Sequence, residues 1–343
     1  MTSPLRLSID GAALVANWRW YAARSGSAAC GAAVKANGYG LGARQVVDRL
    51  AAAGCRDFFV SSWDEAAALG PLDEGLSLSV LHGLREADVA RALEFRVRPV
   101  LNTPAMVARW KAVAPGRPCD VMVDTGMNRL GLSPSEARSE ILSGVNIVTL
   151  MSHLACADTP DHPMNRVQAD LFRALSGLVR AKRYSLSNSA GICLGAPYRF
   201  DLTRPGIGLY GGEPGPGADP KPVVALSAEV LQVRPVSAGD AVGYGADFIA
   251  PGPMRVAMLN IGYADGYRRA FAGVGTALID GARRALLGRV SMDLVAVDVT
   301  GTQVGEGDWI ALDYDLPTAS ADTGVSQYEL LTGLGRRFAR DWV

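Results

Sequence analysis

Gly31-Ala32-Ala33-Val34-Lys35-Ala36-Asn37-Gly38-Tyr39-Gly40 sets an apolar run directly against a lysine and a glycine-rich turn. That order predicts a strand over residues 31–35 that stops at a turn. Such a stop marks the carboxyl end of a parallel strand, the rim where α/β enzymes keep reactive groups. An ammonium placed there loses water on folding. Its pKa falls, and the amine becomes free to form a Schiff base. The competing reading is a lysine whose stem lines the strand end while its head reaches solvent.

Working outward, a helical pattern covers residues 43–53, a second strand 58–61, and a helix opens at Trp63-Asp64-Glu65. Further strands are expected over 77–82, 97–101, 121–124, 147–153, 184–187 and 200–202, with helical segments over 86–95, 104–113, 134–142 and 166–182. Eight strands alternating with helices predict an α/β fold, a (β/α)8 TIM-like barrel. An open doubly wound sheet has the same strand count. Closure is favoured because polar clusters follow several strands along the series, where an open sheet would gather them at one crevice.

Residues 211–222, with four prolines and four glycines, break the composition and suggest a linker. Beyond it the pattern becomes short strands, over 224–233, 254–261, 276–279, 285–290, 294–299 and 309–312, with helical periodicity only at 327–338. A mostly β carboxy-terminal domain is therefore expected over residues 216–343, after a barrel over 1–215 whose first ten or so residues are free to pack with the β domain.

The 343 residues carry 34 Lys+Arg against 34 Asp+Glu, so no net field draws nucleic acid or an anionic membrane. Thirty-nine glycines suit an enzyme with many strand-to-helix junctions. Five cysteines, an odd number without C-x-x-C spacing, predict reduced thiols and a cytoplasmic protein. The amino terminus shows no signal-peptide core, and no uncharged run reaches the ~20 residues of a membrane span.

Several glycine-flanked clusters carry candidate chemistry. Asp124-Thr125-Gly126-Met127-Asn128-Arg129-Leu130-Gly131 holds an arginine suited to a carboxylate or phenolate, or else an Asp124–Arg129 structural pair. Ser152-His153-Leu154 ends the sixth strand and reads as an orienting histidine. Asn188-Ser189-Ala190-Gly191 and Arg204-Pro205-Gly206-Ile207-Gly208 follow the seventh and eighth strands, where many barrels bind phosphate. In the β domain, Asn260-Ile261-Gly262-Tyr263-Ala264-Asp265-Gly266-Tyr267 offers a phenol beside glycines; Gly288-Arg289-Val290-Ser291-Met292-Asp293 and Val242-Gly243-Tyr244-Gly245 accompany it.

In sequence order these segments resemble the alanine racemase family, barrel enzymes that use pyridoxal 5'-phosphate, across nearly the whole chain. The resemblance implies a homodimer with shared active sites, no metal, and racemisation of L- and D-alanine, the D-isomer serving cell-wall peptidoglycan. It implies that Lys35 is the internal aldimine lysine and the base on one face, and that Tyr263 of the partner subunit is the opposite base. Arg204 would bond the pyridine nitrogen, and Tyr39, Ser189, Gly206 and Ile207 would hold the phosphate. Arg129 would meet the cofactor's phenolic oxygen and the substrate carboxylate, Met292 of the partner subunit would line the substrate site, and His153 would bridge toward Arg204 and Tyr263. Two bases on opposite sides of a planar imine suit a reaction that removes a proton from one face and returns one to the other.

The chain departs from the family twice. The family's carbamylated lysine is replaced by Met122, which cannot carry a carbamate to brace Arg129. The stretch Arg337-Phe338-Ala339-Arg340-Asp341-Trp342 lacks the family's carboxy-terminal phosphate tyrosine. Three other readings share parts of the pattern: a racemase of serine or a basic amino acid, a barrel-type decarboxylase, and a non-catalytic cofactor carrier. A decarboxylase would want a carboxylate where Arg204 stands, and a carrier has no need of Tyr263.

Overall fold

The computed structural model describes residues 3–343. They fall into two compact units, one formed by residues 15–209 and 213–220, the other by 3–14, 210–212 and 221–343. The first strand, β1 (Leu5–Ile9), belongs to the second of these.

The first unit is a closed parallel barrel. Strands β2 (Ala29–Cys30), β3 (Ala32–Ala33), β4 (Asp57–Val60), β5 (Ser77–Val80), β6 (Arg98–Leu101), β7 (Cys119–Met122), β8 (Ile147–Met151), β9 (Arg183–Ser185) and β10 (Leu202–Thr203) follow one another in space as in sequence. The segments β2 and β3 are one strand interrupted at Gly31, where a Cβ would stand 2.7 Å from the Asp57 carbonyl oxygen. Closure is carried by main-chain bonds on both sides of β10. The N–H groups of Asp201 and Arg204 donate to the carbonyls of Tyr184 (3.0 Å) and Ser187 (2.9 Å). Across the seam, Ala29, Gly31 and Ala33 donate to Asp201, Thr203 and Pro205, each at 2.9 Å. No strand edge is left open, so the doubly wound alternative is excluded.

Inside the barrel Phe59, Val100, Met122, Met151 and Leu202 form an apolar layer. A polar layer lies at the amino ends of the strands. Asp120 accepts from Ser79 Oγ (2.6 Å), Thr149 N–H (2.9 Å) and Arg98 Nε (3.2 Å), while Asp57 accepts from Ser77 Oγ (2.7 Å) and Arg183. The carboxylates are thus satisfied despite burial; removing one partner of such a pair costs about 3–5 kcal/mol. The surrounding helices bury one stripe each. In Ala43–Ala53 the buried residues are Ala43, Val46, Val47 and Leu50, spaced as one helical face. Gly54 ends that helix at φ 116°.

In the second unit, β1 runs antiparallel to β11 (Val224–Val236) and parallel to β19 (Ala339–Trp342). Between them come the small hairpin β12 (Ala241–Val242) and β13 (Phe248–Ile249), then β14 (Met254–Leu259), β15 (Thr276–Ile279), β16 (Ala282–Leu287), β17 (Val295–Asp298) and β18 (Trp309–Leu312). The sheet order is β14-β17-β16-β15-β18-β11-β1-β19, and β14 also pairs with β11. The long β11 therefore serves three neighbours, β1 through residues 224–228, β18 through 226–229 and β14 through 230–236, and within the β14 pairing the register shifts at Leu231. Six strands close on themselves, a second solution to exposed edges. Val236, Val242, Ala250, Val256, Leu287 and Ala296 pack one of its cores.

Several expected boundaries are corrected. The first strand stops before Lys35, the sixth stops at Met151, and the segment expected over 166–182 forms as Pro163–Ser176. The helix expected over 327–338 ends at Thr332 and gives way to β19. Helices Gly11–Ser25 and Leu316–Thr323 add to the pattern. All five cysteines are free thiols, and no helix among the described residues is long and apolar enough to cross a membrane.

Candidate active site

Lys35 leaves β3 at the carboxyl rim of the barrel and is half-buried. Burial first, and then the charge of Arg129, lower its pKa from the ordinary lysine value; Glu65 opposes them. Behind it the backbone turns through five consecutive residues of positive φ, Ala36, Asn37, Gly38, Tyr39 and Gly40. That turn brings Tyr39, only 4% exposed, back into the barrel mouth.

There Tyr39 meets the loop after β10. A Cβ on Gly206 would collide with the Tyr39 hydroxyl, so only glycine admits the phenol at this spot. Ser189, 3% exposed, accepts from the N–H groups of Gly206 (2.8 Å) and Gly208 (3.4 Å). Ile207 is 1% exposed, and its N–H meets no acceptor among the described residues. A phenol, a hydroxyl and an unanswered buried N–H over small residues make a cradle for an anion.

Arg204 is buried with no carboxylate at ion-pair distance among the described residues; its terminal nitrogens donate to Ser185 Oγ and the Ser152 carbonyl. Burial lowers its pKa to about 10, with distant Asp120 opposing the fall, so it stays charged at neutral pH. His153 follows β8. Burial, then Arg204, Arg129 and Lys35, push its imidazole down to about 3, which keeps it neutral. Arg204 acts on it through charge, since no hydrogen bond joins the two.

Arg129 is exposed and forms no ion pair among the described residues. The Asp124–Arg129 pair does not form, because Asp124 Oδ1 accepts instead from the N–H groups of Gly126 (2.7 Å) and Met127 (2.9 Å). Met122 packs in the apolar layer and offers no brace. The guanidinium is thus free to take a carboxylate or phenolate. Together these groups fit pyridoxal phosphate: an amine for its aldehyde, a cradle for its phosphate and a permanent cation for its ring nitrogen.

Tyr263 and Met292 come together in the other unit. The N–H groups of Tyr263 and Ala264 donate to the carbonyls of Ser291 and Met292, both at 3.0 Å. Gly262 permits this approach, since a Cβ there would strike the Met292 carbonyl. Buried Asp265 accepts from Gly262 N–H (3.0 Å) and from Arg337, which also reaches Asp293 at 2.7 Å. Beside them a cavity of about 400 Å³ is lined by Tyr244, Met258, Arg289, Ser291 and Met292 among others. Sequence reasoning missed Arg337 as the tie between these two segments, and it saw Glu65 only as the opening of a helix. Arg337 has no local signal, since its partners lie 72 and 44 residues away.

Comparison with known proteins follows this division. Residues 9–214 match the family described as alanine racemase, N-terminal domain, and residues 223–342 match alanine racemase, C-terminal domain. A catabolic alanine racemase of Agrobacterium fabrum is 41% identical over 98% of this chain and 92% of its own length. An alanine racemase of Rhizobium meliloti is 41% identical over 100% and 98%. The crystal structure of the Bartonella henselae alanine racemase, with covalently bound pyridoxal phosphate, superposes with TM-score 0.93 at 35% identity, covering 100% of both chains.

Proposed function

This chain belongs to the alanine racemase family, and on that premise we propose that it interconverts L- and D-alanine with two bases, Lys35 and Tyr263 of the partner subunit. The carrying observation is the half-buried Lys35, its amine biased toward the neutral form, at the rim that holds the Tyr39–Ser189–Ile207 cradle. D-alanine made here would enter cell-wall peptidoglycan.

Bound pyridoxal phosphate would supply the electron sink for the pair left when the α-proton departs. The rest falls to the chain. Tyr39, Ser189, Gly206 and Ile207 would hold the phosphate, the first two by hydroxyls, Ile207 by its N–H and Gly206 by the room its missing side chain leaves. Arg204, a guanidinium that cannot release its own proton at working pH, would meet the ring nitrogen and leave it unprotonated, which would hold back over-delocalised side reactions. Arg129 takes the substrate carboxylate with its unpaired donors, and Met292 of the partner subunit bounds the side-chain pocket. Lys35 Nζ moves the proton on one face and the Tyr263 hydroxyl on the other.

Lys35→Ala is the test. The variant should neither racemise alanine nor become covalently labelled with cofactor on borohydride reduction, as read by chiral chromatography and intact mass. Retention of both would remove the assignment. Turnover of L-serine or L-lysine above that of L-alanine by the wild type would move the substrate.

A further inference from the structure

The turn after Lys35 is an uncommon backbone. Ala36, Asn37, Gly38 and Tyr39 have φ of 52°, 54°, 64° and 55°. Of the four only glycine takes that conformation freely; in the others Cβ crowds the carbonyl that follows. A run of this kind persists where its surroundings hold it. Part of the hold is internal, since Asn37 Oδ1 accepts from Ala43 N–H at 3.0 Å and Gly38 N–H donates to Val34 at 2.8 Å. The rest comes from outside the turn.

Ser62-Trp63-Asp64-Glu65 reads as a capping box, whose glutamate would turn back to the N–H of Ser62. Half of the motif forms: Ser62 Oγ accepts from Glu65 N–H at 3.2 Å. The carboxylate goes elsewhere. Its Oε1 accepts from Ala36 N–H at 2.8 Å, and its Oε2 from Ser61 N–H at 2.7 Å. One side chain thus fastens the end of β4 to the first left-handed residue beyond β3. Lys35 stands immediately before the fastened peptide and Tyr39 three residues after it.

We infer that Glu65 is the positioning residue of the cofactor site: by bridging Ala36 N–H and Ser61 N–H it holds the left-handed turn that aims Lys35 and Tyr39. This rests on the reading of Lys35 as the cofactor lysine. The carboxylate also sets its negative charge near the Lys35 amine, opposing the loss of the lysine's proton to burial. Glutamine keeps the shape but turns an NH2 group toward one of the two donors and removes the charge.

The experiment compares wild type, Glu65→Gln and the double variant Glu65→Gln/Ala36→Gly. Pyridoxal phosphate affinity of the apo-protein is read by fluorescence quenching, and the pH dependence of Lys35 acetylation by mass spectrometry. Glu65→Gln should bind the cofactor roughly tenfold more weakly, the scale of one lost bond to a charged acceptor. Its acetylation curve should move to lower pH. Glycine at 36, free of the crowding, should restore part of the affinity and leave the acetylation curve shifted. A helix cap with no role in the turn would gain nothing from residue 36. Unchanged affinity in Glu65→Gln, or a loss that Ala36→Gly does not relieve, overturns the inference. If the single variant does not fold, recovery of a folded protein by the added glycine supports it and failure to recover overturns it. Borohydride labelling of the wild type separates the two readings. A label on Lys111, Lys182 or Lys221 defeats the functional reading; a label on Lys35 with Glu65→Gln unchanged defeats only this one.

Discussion

At His153 the protein decides a charge state by removing water. Burial, followed by repulsion from Arg204, Arg129 and Lys35, takes the imidazole from 6.5 to about 3, so the folded protein holds it neutral where the unfolded chain protonates it. Between those two values the unfolded state binds more protons, and stability therefore rises with pH and levels off above 6.5. His153→Gln should flatten that slope. Melting temperatures of wild type and variant, compared from pH 4 to 7, ought to converge as pH falls; parallel curves would mean that the ring is charged in the fold. Arg204 meets the same desolvation yet ends at about 10, because its ordinary value starts so much higher. His153 and Arg204 thus carry opposite assignments, neutral and charged, and each suits its proposed task.

Among elements, the two segments that carry Tyr263 and Met292 are joined by backbone bonds and tied by Arg337, which reaches Asp265 and Asp293 together. Arg337 is half-exposed but its partner Asp265 is buried, so its removal should cost stability on the order of 1–3 kcal/mol, the scale of a buried acceptor that loses a donor. Tyr263 should nevertheless lose its register. Arg337→Ala is expected to lower kcat about tenfold while leaving cofactor affinity unchanged, because the phosphate cradle belongs to the other unit. Equal losses in both measurements would contradict this. The same region shows where sequence reading stops. Barrel strands were legible because each pairs with its sequence neighbour and several end in a glycine-flanked polar cluster. By contrast, Leu5–Ile9 is a strand because it pairs with β11 more than 200 residues away, and Ala339–Trp342 because it pairs with Leu5–Ile9 across more than 300. Leu330, Leu331, Leu334 and Phe338 are all buried at helix-like spacing, which extends the apparent helix beyond Thr332. The helix ends at its cap, Gly333, whose N–H still donates to the Glu329 carbonyl (3.0 Å) and where a Cβ would strike Arg268. Glu65 was hidden differently, since its motif was readable and its carboxylate left the motif.

For the whole molecule the question is where the second base acts. Tyr263 and Met292 are 40% and 54% exposed although their backbones are firmly bonded. Order without burial suits side chains that another surface completes. If that surface is a second copy of the chain, two-fold symmetry makes two equivalent sites, each with Lys35 from one protomer and Tyr263 from the other. Lys35→Ala and Tyr263→Phe proteins should then be nearly inactive alone and regain activity when unfolded and refolded together. Random pairing makes half of the dimers mixed, and each mixed dimer contains one intact site and one doubly defective site. The recovered activity should approach about one quarter of wild type per chain, the value set by symmetry. It should depend on total concentration wherever dimers dissociate. A base acting within its own chain predicts a different result, because every site in the mixture would then lack one of its two groups and co-refolding would restore nothing.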